Sequence, residues 1–222
     1  MLDHWPWYVI VLAVINWVAV ERKWKWVEYI CKPGTMLLLL LWMGLNGGLG
    51  GGMIWFTLGV IFSMGGDIFL MLPGNFFLPG LISFLLAHVA YIVGLNSSAP
   101  FINGQGAIFL LGIGAFIFWI YGRLVAGLES KDQRSMKLPV LVYSLVISLM
   151  VYSALMTGWR DGWDVLPAVL VSIGAVFFYA SDSMLAWDRF VKPLSHARLR
   201  VMVTYHLGQL GIITGAVLMS LR

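Results

Sequence analysis

Eight long apolar stretches, joined by short polar connections, occupy most of this 222-residue chain. A bilayer core takes about 20 mainly apolar residues per spanning helix. Every backbone N–H and C=O inside it must be satisfied within the protein, so such stretches fold as membrane-spanning helices. Eight helices use about 160 residues at that length, which leaves residues for connections and none for a separate soluble domain. Composition agrees: 11% of the residues are charged, against about 25% in a soluble domain. The expected fold is all-α, a polytopic membrane protein of about eight transmembrane helices in a single domain over residues 1–222.

The helices are expected at roughly 5–20, 33–46, 53–72, 76–95, 105–125, 138–157, 164–187 and 200–220. Pro33 opens the second, a position where its missing N–H does no harm. Gly47 to Gly52 reads as a turn, and Pro73-Gly74 ends the third stretch. The first stretch is followed by no small-residue cleavage site and reads as a retained helix. The 11 Trp and 8 Tyr suit anchoring at the two membrane interfaces. Cys31 is the single cysteine, so it forms no internal disulfide.

All 14 basic residues fall in connections or at helix ends. Arg22, Lys23, Lys25 and Lys32 lie around the 1–2 connection. Arg123, Lys131, Arg134 and Lys137 lie around the 5–6 connection, and Arg189, Lys192, Arg198 and Arg200 around the 7–8 connection. Only Arg160 and Arg222 fall on the opposite side. The positive-inside rule then places the three basic connections in the cytoplasm and both termini outside. The expected location is the bacterial cytoplasmic membrane. The net charge of +4 belongs to these loops and to anionic lipid headgroups, and does not point to nucleic acid.

Chemistry must come from polar groups inside the spans, where ionisable residues are costly and usually functional. Asp67 and Asp182 stand out, near the ends of helices 3 and 7 and at similar depth. Their surroundings match: Gly59-x-x-Phe62-x-x-Gly65-Gly66-Asp67-x-x-Leu70 and Gly174-x-x-Phe177-x-x-Ala180-Ser181-Asp182-x-x-Leu185. The match suggests a duplicated four-helix unit, 1–104 and 105–222, related by an axis along the membrane normal. Such an axis brings the two carboxyls face to face, and the small residues before each let backbones approach. Lys32, His88, Tyr91, Tyr121, Tyr143, Tyr205 and Gln209 are expected to line a cavity around them. His88 and Tyr91 share a face of helix 4; Tyr205 and Gln209 share one in the first turns of helix 8. Each also has a plainer reading, as an interfacial anchor or a hydrogen bond between helices.

With Lys32-Pro33, Gly66-Asp67-x-x-Leu70, His88-x-x-Tyr91, Ser181-Asp182-x-x-Leu185 and Tyr205-x-x-x-Gln209 in this order, the chain resembles the YhhN-like lysoplasmalogenase family of eight-helix membrane proteins. The similarity extends over nearly the whole length. The resemblance implies hydrolysis of the vinyl-ether bond of lysoplasmalogens to a fatty aldehyde and glycerophosphocholine or glycerophosphoethanolamine. It also implies that Asp67 and Asp182 are the catalytic pair, with a lysophospholipid as substrate and no cofactor. Two adjacent carboxyls fit that reaction, since one can donate a proton while the other accepts one. Three other readings stand beside it. A zinc hydrolase needs three protein ligands, yet only His88 and His206 lie within spans. An intramembrane aspartyl protease needs a G-x-G-D pattern, which Met64 interrupts. A proton-coupled transporter fits an acidic pair and internal repeats, but no helix shows a paired central break.

Overall fold

The computed structural model describes residues 6–96 and 104–221. Among them the chain forms eight α-helices and no strand: α1 Trp7–Arg22, α2 Lys25–Asn46, α3 Ile54–Met71, α4 Phe77–Leu95, α5 Gly104–Ser130, α6 Lys137–Leu155, α7 Val165–Ala186 and α8 Ala197–Ser220. α7 runs on through one π turn, Trp187–Val191. Six of these helices, α3 to α8, are long and apolar enough to cross a membrane. α1 has 16 residues, fewer than a span needs, and α2 carries Lys25, Glu28 and Lys32 in its first half. The fold is therefore that of a polytopic membrane protein with at least six apolar spans among the described residues.

α2 departs most from the sequence expectation. It starts eight residues before Pro33, so Lys32 and Pro33 sit inside the helix. Lys23 takes a left-handed conformation (φ 60°) that ends α1, and the chain re-enters a helix two residues later. Pro33 has no N–H for the Tyr29 carbonyl, and the helix continues through it, with Thr35 Oγ1 also donating to the Cys31 carbonyl at 2.7 Å. α5 also runs longer than expected, to Ser130. α8 begins three residues early, which moves Tyr205 and Gln209 from its first turns to its middle.

Two tight hairpins form the centre, α3 with α4 and α7 with α8. The second depends on glycine. On α8, Gly208 and Gly211 lie against Gly174 of α7, and Gly215 lies against Val171 and Pro167. A Cβ at Gly211 would lie 2.7 Å from the Gly174 Cα, and one at Gly208 would lie 2.8 Å from the Phe178 nitrogen. Backbones that close pack by dispersion where no hydrophobic drive exists between helices. In the first hairpin Gly59 and Gly66 receive the rings of Tyr91 and Phe84. α2 packs on α3 and α6 on α7; α4 meets α6, and α8 meets α2 and α1. The core between them is mainly aromatic and aliphatic, with Trp42, Phe84, Tyr91, Phe178 and Tyr205 buried.

Candidate functional site: two buried carboxylate clusters

Asp67 is completely buried near the end of α3. Its Oδ1 lies 3.2 Å from the Lys32 ammonium, whose Nζ is also 3.4 Å from the Asp67 carbonyl. The Tyr205 hydroxyl donates to Oδ2 at 2.6 Å. A cation from α2 and a phenol from α8 therefore occupy both carboxylate oxygens. A buried charge requires this kind of partnership. Four residues along α8, Gln209 accepts a 2.6 Å hydrogen bond from the Tyr91 hydroxyl. Both groups are buried, so this pair ties α4 to α8 directly behind Tyr205.

Asp182 has different company. Its Oδ2 accepts from the Tyr143 hydroxyl of α6, and His88 Nε2 of α4 lies 3.2 Å away. His88 Nε2 is also 2.9 Å from the Tyr143 oxygen, so imidazole, phenol and carboxyl form a closed triangle. His88 is fully buried, whereas the Asp182 side chain keeps 11% of its surface accessible. The preceding Ser181 donates to the Val201 carbonyl at 3.0 Å, which draws α7 against α8 at this level.

The two carboxyls share no hydrogen bond with each other. Aromatic rings stand between the clusters. Phe178 lies one turn before Asp182. Its centroid is 4.8 Å from the His88 ring and 5.3 Å from the Tyr205 ring. Phe84, one turn before His88, packs edge-on to Tyr205 at 5.8 Å. The face-to-face pair expected from the sequence is thus two separate clusters flanking an aromatic divider.

Asp182 also lines a small, partly open cavity of about 50 Å³. Its walls are apolar, with Leu81, Phe84, Ile120, Leu124, Ile147 and Tyr179 among them, and Tyr143 beside Asp182 as a polar point. Asp67 is not part of that wall. His88 and Tyr91 share a face of α4 as expected, yet serve different clusters. Tyr121 joins neither cluster: its hydroxyl donates to the Lys137 carbonyl at 3.3 Å. Sequence reading grouped Tyr143 with the polar residues of this depth but had no signal tying it to Asp182, since 39 residues separate them. It also missed a buried contact behind Lys32, where Trp17 Nε1 donates to His206 Nδ1 at 2.8 Å. Among the described residues no three His, Cys, Asp or Glu side chains converge as a metal site would require.

An apolar helical bundle with two carboxyl-centred polar clusters between its helices defines an integral membrane protein. The YhhN family pattern matches residues 27–216, and the chain belongs to that family. It is similar to the mouse lysoplasmalogenase TMEM86B, 32% identical over 210 residues, covering 92% of this chain and 81% of the relative. It is 33% identical to the human lysoplasmalogenase TMEM86B over 151 residues, 68% of this chain and 58% of that one. A lysoplasmalogenase of Mycobacterium tuberculosis is 31% identical over 145 residues, covering 62% of this chain and 50% of its own length. No solved structure matches.

Proposed function

We propose that this chain is a lysoplasmalogenase-type enzyme, hydrolysing the vinyl-ether bond of single-chain alkenyl glycerophospholipids. The observation that carries this reading is Asp182. It is a carboxyl with fixed imidazole and phenol partners, facing a cavity walled by apolar side chains. The named relatives support the substrate class.

Vinyl-ether hydrolysis begins with proton transfer to carbon. Asp182 gives its proton to the alkene carbon distal to oxygen, leaving an oxocarbenium centre on the carbon that bears the oxygen. Water adds there, and its proton passes to the Asp182 carboxylate. The hemiacetal then collapses: Asp182 gives that proton to the departing glycerol oxygen as the C–O bond breaks, and takes up the hydroxyl proton of the hemiacetal. One water is consumed, and Asp182 ends in its starting state. The exchange of acid and base roles parallels that of retaining glycosidases, whose transition state carries similar charge. Asp67 takes part as a positioning residue, through its contacts with Lys32 and Tyr205 behind the aromatic divider. Tyr205 and Lys32 position Asp67; His88 and Tyr143 position Asp182. Tyr91 and Gln209 brace α4 against α8, and Tyr121 supports the α5–α6 connection.

The partner pattern supports two parallel four-helix repeats. Each aspartate, on the third helix of its half, is held by the second helix of the same half and the fourth helix of the other. Lys32 and Tyr205 do this for Asp67, and Tyr143 and His88 for Asp182. The basic connections support eight crossings in a bacterial cytoplasmic membrane with both termini outside, which labelling of single cysteines at each terminus would check.

The decisive experiment measures aldehyde release by the purified protein from an alkenyl lysophospholipid, in wild type and in Asp67→Asn and Asp182→Asn. Wild type is expected to release aldehyde, and Asp182→Asn to lose at least about 10²-fold, the lower end of general acid–base catalysis. Asp67→Asn is expected to lose less, because it acts through position. Wild type that releases none overturns the function, and full activity in either variant overturns the role given to that residue.

A further inference from the structure

The chamber beside Asp182 is walled by α3, α4, α5, α6, α7 and the π turn. At about 50 Å³ it is too small for a lipid chain, since an apolar cavity of about 150 Å³ is what a single benzene ring occupies. A lipid chain therefore reaches Asp182 only when one wall moves. Most of the walls hold the acid clusters together. α3 carries Asp67, α4 carries His88, α6 carries Tyr143 and α7 carries Asp182, and the π turn continues α7. α5 carries no member of either cluster.

α5 is also the wall least bound to the bundle. In its apolar stretch 11% of the residues are buried, against 39% to 61% in the other five spans. It packs against α6 and the π turn, and turns Ile120 and Leu124 into the chamber. Its glycines divide along its length. A Cβ at Gly112, Gly114 or Gly122 would meet nothing within 4 Å, whereas one at Gly127 would run into the Phe190 carbonyl. The C-terminal end of α5 is thus fixed backbone to backbone, with Leu128 beside it fully buried. Before that point aromatic side chains hold the helix. Phe109 lies 5.4 Å from the Trp159 ring, and Phe116 lies 5.4 Å from the Tyr179 ring of α7. Trp119 stacks on Trp187 of the π turn at 5.6 Å, yet stays 50% exposed. Ring contacts of this kind exchange readily for contacts with lipid tails, which are as apolar as the rings themselves. The backbone packing of Gly211 on Gly174 has no such substitute.

We propose that α5 is a lateral gate. It pivots at the Gly127–Phe190 contact, the aromatic seam of Phe116 and Trp119 with Tyr179 and Trp187 parts, and the chain of a single-chain lipid slides from the bilayer into the chamber. Ile120 and Leu124 move out with α5 and widen the space beside Asp182. His88, Tyr143 and Asp182 stay in place, so the acid cluster remains assembled while the lipid enters. This rests on the lipid-hydrolase reading above, but its test does not require turnover.

The full chain carrying Cys31→Ala, Trp119→Cys and Trp187→Cys is placed in lipid nanodiscs. A short bis-methanethiosulfonate reagent joins the two new thiols across the seam, and a reductant frees them. The probe is a single-chain alkyl-ether glycerophosphocholine with a diazirine at the end of its chain. After irradiation, labelled peptides are read by mass spectrometry. The unlinked protein is expected to be labelled at chamber residues of α4 and α6, Leu81 and Ile147 among them. Linking is expected to cut that labelling at least about tenfold, because apparent affinity scales with the fraction of molecules in the open state. Reduction is expected to restore it. Capping both thiols with the monofunctional reagent adds bulk without a link and is expected to leave labelling unchanged. Labelling that survives the link overturns the gate, as does an equal loss on capping alone or an unlinked protein with no label in the chamber. Failure of the hydrolase reading would appear separately, as absent aldehyde release from wild type with the link-sensitive labelling intact.

Discussion

The clusters around Asp67 on α3 and Asp182 on α7 are built in opposite ways. Asp67 faces a buried ammonium and a phenol and lines neither of the cavities beside it. Asp182 faces an imidazole and a phenol and keeps part of its surface on an apolar chamber. One scaffold, a third helix held by a second and a fourth, therefore yields one sealed ionic site and one open site with no lysine. The difference shows how one helical bundle can hold two carboxyls for different ends: the partners each receives set its chemistry. An ion pair in the interior is strong only while both members remain. A carboxyl held by an imidazole and a phenol can exchange a proton with a substrate and keep its partners.

Several substitutions would break or sharpen that contrast. The largest effect is expected in Lys32→Met, which leaves the Asp67 charge buried without its cation. A loss of about 3–5 kcal/mol in stability is anticipated, read as thermal unfolding in detergent. Adding Asp67→Asn to it should restore most of that loss. If Lys32→Met unfolds like wild type, the Asp67 cluster is not ionic in the way described. Asp182→Asn should do the reverse, abolishing aldehyde release with only a small change in unfolding temperature.

Next come the two phenols. Tyr205→Phe leaves a fully buried carboxylate oxygen without its donor and should cost about 1–3 kcal/mol. Tyr143→Phe should cost less, because His88 and the chamber still serve Asp182. Equal losses in a side-by-side melt would erase the distinction between a sealed and an open site. Tyr121→Phe should be smallest, within about 0.5 kcal/mol and with turnover unchanged, since its hydroxyl meets only a backbone carbonyl at 3.3 Å. A marked drop in aldehyde release would bring Tyr121 back toward the site.

The helical class and the apolar helices α3 to α8 were legible because a long uninterrupted apolar run has few other structures open to it. The two aspartates were legible because charge in such a run is costly. α2 was misjudged for a physical reason. Pro33 resembles a helix start, and nothing local shows that one lost hydrogen bond is outweighed by the packing of the whole helix. The glycine and serine before the aspartates were expected to let backbones approach, and the contacts they make are of another kind. Gly66 receives the Phe84 ring, and Ser181 bonds to α8. The pairing of Tyr143 and His88 with Asp182 was not legible, because those contacts span 39 and 94 residues and carry no periodic signature. Glu28 with Arg198, 170 residues apart, is the same case.

Taken alone, the sequence determined that this chain is a bundle of apolar helices with two carboxyl groups it could not leave unpartnered. Both conclusions follow from transfer free energies that act residue by residue. Which partner each carboxyl received, and that only one of them opens on the chamber, was decided by the packing of α2, α4, α6 and α8 around α3 and α7. Those contacts join residues far apart in the chain, and their energy exists only once the helices have docked.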